Sequence, residues 1–115
     1  MHTPNDATQL PFQRLDVYRI AKALASLVHR AQIGDPELRD QARRASKSAF
    51  LNLSEGLPSD STPMRRRYFS SAAGSVCEAA AAGDLAAALG LIDDSVAHEV
   101  LGLCMRMKQM LRALQ

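Results

Sequence analysis

From Leu15 onward the apolar residues recur at Leu15, Val17, Ile20, Ala21, Leu24, Leu27, Val28 and Ala31, with Asp16, Arg19, Lys22 and Arg30 between them. Spacings of three and four predict an amphipathic helix over about residues 15–32, stopped by Gly34. Asp35-Pro36-Glu37 then supplies an N-cap acid, a proline for the first helical position and an acid in the first turn. The helix so opened, about 36–56, has the inner stripe Leu38, Ala42, Ala45, Ala49 and Leu53, and Gly56 with Pro58 ends it.

Residues 57–62 read as a turn-rich loop, and Thr62-Pro63 as the cap of a third helix over about 63–89 that Gly90 closes. Phe69, Ala72, Ala73, Val76, Ala80, Leu85 and Leu89 are its expected inner side. Nine alanines, at 72, 73, 79–82 and 86–88, leave that side poorly marked, and Gly83 weakens the helix locally. A fourth helix over about 94–114 carries Val96, Val100, Leu103, Met107, Met110, Leu111 and Leu114. There is no strand signal and no internal repeat. Helices joined by connections this short pack antiparallel to their neighbours. The expected fold is therefore all-α, an antiparallel up-down-up-down four-helix bundle over residues 12–115, preceded by a flexible polar arm, 1–11.

A length of 115 residues makes one domain. The chain is 47% hydrophobic but only 4% aromatic, so its core rests on Ala and Leu and buries less area per residue than a Phe-rich one. That thin core makes covering by a second copy an attractive solution. Cys77 and Cys104 fit no metal or redox spacing and are expected as buried, reduced thiols. No apolar run reaches the roughly 20 residues of a membrane span, and the first residues have neither the basic nor the apolar region of a signal peptide. A cytoplasmic protein is the expectation.

Catalytic chemistry finds no support. No Glu has a His three residues on, as a di-iron bundle requires, and His98-Glu99 is not a metalloprotease motif. A Gly-rich phosphate loop and a nucleophile–base pair are likewise missing, so no cofactor, metal or small-molecule substrate is expected. Met105, Met107 and Met110 read as core and interface filler.

Charge is more informative in its distribution than in its total of +2. The up-down order gathers Arg14, Arg19, Arg65, Arg66, Arg67, Arg106, Lys108 and Arg112 toward one pole. From Glu78 to Glu99, toward the other, there are five acids and no Lys or Arg. Arg65-Arg66-Arg67 occupies the first turn of the third helix, where the macrodipole is already positive and each cation costs about 0.3–1 kcal/mol. Three readings stand: side chains extended into water, a contact with nucleic-acid phosphates, or a contact with an acidic protein surface. Arg65, Arg66 and Arg67, helped by Arg106, Lys108 and Arg112, are the candidate nucleic-acid-binding residues.

On the second helix Gln41, Arg44, Ser48, Asn52 and Glu55 line one polar face. They are expected as a network within the chain or between subunits. Arg44 and Glu55 stand too far apart along one helix to pair with each other, so their partners would lie on other helices or other copies.

These segments resemble a known family. Pro11-Phe12-Gln13-Arg14-Leu15-Asp16-Val17-Tyr18 is similar to its opening. The stretch from Gln41 to Ala49, followed by Asn52-Leu53-Ser54-Glu55-Gly56, is similar to its central signature. Gly74-Ser75-Val76-Cys77-Glu78, with Leu89-Gly90 further on, is similar to its third-helix pattern. The family is the bacterial four-helix-bundle family of 23S rRNA intervening-sequence proteins, which also includes the accessory variability protein of diversity-generating retroelements. Ala49, Ser54 and the run 79–83 depart from its pattern. The resemblance implies a cytosolic bundle assembled as a homopentamer, with RNA or reverse-transcriptase binding in some branches. The function expected is a non-enzymatic, self-associating module whose basic pole contacts RNA or DNA through phosphates. The alternative is a scaffold that docks an acidic or nucleic-acid-bound protein such as a polymerase.

Overall fold

The computed structural model describes residues 9–114, the side chain of Arg14 excepted. Most of the expected N-terminal arm, residues 1–8, lies outside the described residues. Its last residues are tied down: Pro11–Arg14 forms a 3-10 turn, and the Leu10 N–H donates to Gln13 Oε1 at 2.7 Å. Phe12 then packs edge-on against Tyr18 (5.7 Å between ring centres), and Tyr18 against Phe50 (5.1 Å).

Four helices follow: α1 (Asp16–Arg30), α2 (Pro36–Gly56), α3 (Thr62–Ala88) and α4 (Asp94–Leu114). The first helix stops at Arg30, before Gly34, because Ala31 is already extended (φ −67°, ψ 137°). Gly34 instead donates its N–H to Leu91 O at 2.9 Å, which joins the α1–α2 and α3–α4 connections at one pole. Asp35 caps α2 as its sequence predicts, with Oδ2 accepting from the Leu38 N–H at 2.8 Å. The cap of α3 is Ser61 rather than Thr62, its hydroxyl accepting from the Met64 N–H at 3.4 Å. Gly90, at φ +70°, closes α3 in a Schellman arrangement: its N–H donates to Ala87 O and that of Leu91 to Ala86 O.

The contacts fix the direction of each helix. Tyr18 meets Phe50 and His29 O accepts from Arg43 Nη2 (3.0 Å), so α1 and α2 are antiparallel. Gly56 abuts Tyr68 and Phe69 while the Ser48 and Ser75 hydroxyls bond at 2.8 Å, so α2 and α3 are antiparallel as well. Gly83 faces Val100 and Cys77 faces Lys108, which reverses α4 against α3. Each helix packs on its chain neighbours and α1 closes on α4, whereas α1 and α3, and α2 and α4, make no such contact and stand diagonally opposed. The result is an up-down-up-down four-helix bundle.

Its core contains Val17, Ile20, Leu24, Val28, Leu53, Phe69, Val76, Val100, Met107 and Leu111. All five predicted inner residues of α2 are buried. On the second half of α3 the buried face is Ala79, Ala82, Gly83 and Ala86, while the expected Leu85 and Leu89 are 49% and 60% exposed. Alanine costs little on either side of a helix, so the chain places its bulkier leucines outward there and lets α2 and α4 each approach α3 closely. The most extensive pairing is α2 against α3, and Gly56 lies within it. A Cβ at Gly56 would sit 2.7 Å from Phe69 Cε1, so only glycine fits.

A further expected burial is corrected. Cys104 is buried but Cys77 is exposed. Met107 is core and Met110 packs against it, while Met105 is 63% exposed.

Candidate nucleic-acid interface and interhelical groove

The arginine triplet divides by function. Arg65 is half-buried and turns back onto the C-terminus of α2. Its Nη1 donates toward the carbonyls of Leu57 (2.7 Å), Gly56 (3.2 Å) and Ser59 (3.4 Å), and its guanidinium lies 5.1 Å from the centre of the Phe69 ring. The orphan carbonyls and negative dipole end of α2 thus compensate a cation at the positive end of α3. Arg66 and Arg67 are exposed and, among the described residues, make no hydrogen bond or ion pair.

The α4 cations lie further from that pole. Lys108 donates from Nζ to Cys77 Sγ at 3.6 Å, level with the middle of α3. The pairing of 77 with 108 and 83 with 100 sets Arg112 near the level of Ala72 and Arg106 near that of Glu78. With the helical rise, Arg112 stands about 8 Å and Arg106 about 16 Å along the axis from Arg67. Both are exposed. The side chain of Arg14 lies outside the described residues.

The polar face of α2 meets α3 in a groove of about 520 Å³ lined by Leu38, Gln41, Arg44, Ser48, Glu78 and Leu85, among others. A shallower hollow beside it continues past Lys47, Leu51 and Asn52 to Glu55. Ser48 and Asn52 form the expected network: Asn52 Nδ2 donates to Ser48 O (2.9 Å) and Ser48 Oγ (3.1 Å), and Ser48 Oγ bonds Ser75 Oγ across the interface. Gln41, Arg44 and Glu55 are exposed at its margins and, among the described residues, have no partner. Glu78 and Leu85 from α3 complete the groove, and Leu51 from α2 the hollow beside it. Glu78 was not expected there and Leu85 was expected in the core, because the alanine run hides which face of α3 meets α2; only the +7 spacing of Ser71, Glu78 and Leu85 hinted at a shared stripe.

Burial raises the Cys104 thiol from 9.0 to about 11, and neighbouring Cys77 adds to the rise, so Cys104 stays protonated and inert at neutral pH. Among the described residues no group of three or more His, Cys, Asp or Glu is placed to hold a metal, and no helix is long and apolar enough to cross a membrane. No curated protein matches the chain. The model of one family, the 23S rRNA-intervening sequence protein, matches residues 13–113, which span all four helices; the chain belongs to that family.

Proposed function

We propose that this chain is a non-enzymatic, self-associating binding module of the cytoplasm, a homopentamer, whose basic pole contacts RNA or DNA through phosphates. One observation carries the reading. Arg66 and Arg67 stand exposed in the second turn of α3, one turn past the first-turn position expected from the sequence but still at its positive end, and unlike Arg65 they have no compensating partner among the described residues. A phosphate supplies that compensation, and helix N-termini favour anions for the same electrostatic reason. Arg65 and Lys108 are engaged within the chain, which leaves Arg66 and Arg67 as the principal contacts. Two guanidinium groups bind weakly alone, and repetition around a ring raises their joint affinity. Family membership supports a role connected with nucleic acid.

The test is fluorescence anisotropy of a labelled structured RNA and a duplex DNA across a salt series. Wild type binds at low salt, releases steeply as salt rises, and the Arg66→Ala/Arg67→Ala variant binds roughly tenfold or more weakly with a shallower slope. Absence of binding at low salt would overturn the phosphate reading. It would direct the search to an acidic or nucleic-acid-bound protein such as a polymerase or reverse transcriptase.

A further inference from the structure

The arginine triplet repeats the register of residues three turns further along α3. Arg65 stands eleven residues before Val76, Arg66 before Cys77 and Arg67 before Glu78, and that interval returns a helix to within about 20° of the same direction. Val76 is core, Cys77 faces Lys108 of α4, and Glu78 lines the groove with α2. Arg65 accordingly folds inward, Arg66 stands over the α3–α4 seam, and Arg67 stands on the side of the α2–α3 groove. The two exposed arginines of the pole look onto different surfaces.

Those surfaces differ in charge. The α2–α3 groove and the hollow beside it mix Arg44 and Lys47 with Glu55 and Glu78. Along the seam, α3 has no acid from Arg65 to Cys77, and α4 has none after Glu99. The cations there form a row. Arg66 stands at the pole, Arg112 about 10 Å down the bundle, and Lys108 one turn, or about 6 Å, beyond that. Arg112 follows Lys108 by four residues and shares its side of α4. Arg106, two residues before Lys108, is turned about 160° from it and lies outside the row. Arg66 and Arg112 are exposed and have no ion-pair partner among the described residues. Lys108 uses one of its three N–H donors on the Cys77 sulfur and keeps its charge over the seam. Ser70 and Ala73 fall between Arg66 and Cys77 on the same side of α3, so the floor of the seam is low and Ser70 offers a hydroxyl there.

We propose that one sugar–phosphate strand of the bound nucleic acid leaves the pole and runs along the α3–α4 seam. Its phosphates lie on Arg66, Arg112 and Lys108, and its backbone passes over Ser70 and Cys77. The inference rests on the phosphate binding proposed above and gives that binding a path. A row of cations with no acid beside it favours an extended anion over a lone phosphate. The row spans about 16 Å, the length of about five nucleotides of one strand at roughly 3.4 Å each. No aromatic side chain stands in the row, so the bases find no stacking platform and the contact is independent of sequence. Arg67 meets the strand only at the pole, before it turns onto the seam.

The test is alkylation of the full chain by iodoacetamide, a neutral reagent, followed peptide by peptide with mass spectrometry. Cys77 is exposed on the row and Cys104 is buried, so the Cys77 peptide reports the seam. A saturating labelled structured RNA at low salt slows Cys77 alkylation roughly tenfold, and high salt restores the rate as the RNA dissociates. Anisotropy supplies a second, independent measurement. Arg112→Ala weakens binding roughly fivefold and lowers the salt slope by about one contact. Lys22→Ala removes the same charge from the exposed side of α1, diagonal to α3, and changes affinity by less than about twofold. RNA that binds while Cys77 reacts at its free rate, or equal losses in the two variants, overturns the path and leaves phosphate binding standing. A Cys77 that is unreactive in the free protein places the seam beneath a subunit contact and also overturns the path. Absence of binding at low salt overturns both.

Discussion

Cys104 and Cys77 face different surroundings although one helix contact lies between them. Cys104 is buried, and its thiol is raised from 9.0 to about 11 by that burial and then by Cys77. The unfolded chain gives up this proton near 9, whereas the folded chain holds it until about 11. Its contribution to stability is therefore complete below 9 and is lost as pH climbs from 9 toward 11. Guanidinium unfolding of wild type and Cys104→Ala at several alkaline pH values should show the wild type losing stability more steeply over that window. Equal slopes would refute the assignment. The sequence made Cys104 legible as core because it is one turn from Val100 and Met107 and precedes Leu111. Cys77 was not legible: it follows buried Val76 in a stretch of α3 made mostly of Ala, Ser and Gly, which sit on any side.

The joint between α2 and α3 shows how an ambiguous motif is resolved by its neighbour. Three consecutive arginines look alike in sequence, yet they point in directions about 100° apart on a helix. Only Arg65 turns onto the end of α2. Arg65→Ala is expected to cost about 1–3 kcal/mol, from carbonyls left without a charged donor and the lost contact with Phe69. Arg66→Ala should stay within about 0.5 kcal/mol. Chemical denaturation of the two variants decides; equal effects would mean that the α2 cap contributes nothing. The first two helices were readable because Leu, Ile and Val alternate cleanly with charge in α1 and because Asp35-Pro36 marks the start of α2. The α3 cap fell one residue from expectation because Ser61 and Thr62 both offer a hydroxyl and Pro63 is accepted at either of the first two helical positions.

Across the bundle, the polar face of α2 divides into residues satisfied within the fold and residues left exposed. Ser48 and Asn52 fasten α2 to α3, while Arg44 and Glu55 remain exposed on the same side. Residue types alone revealed that stripe but not which of its members were satisfied internally, since that depends on Ser75 arriving from another helix. The basic pole was likewise foreseen as a cluster, and helix register separates it into Arg66 and Arg67 at the tip and cations set further along α4. Self-association and phosphate binding together are tested most directly by sedimentation velocity of the full chain with a labelled structured RNA at low and high salt. The account predicts that the label sediments with a multi-chain particle at low salt. At high salt it should separate from a protein that stays assembled. Protein at the 12.5 kDa single-chain mass, or RNA that sediments alone even at low salt, would contradict it.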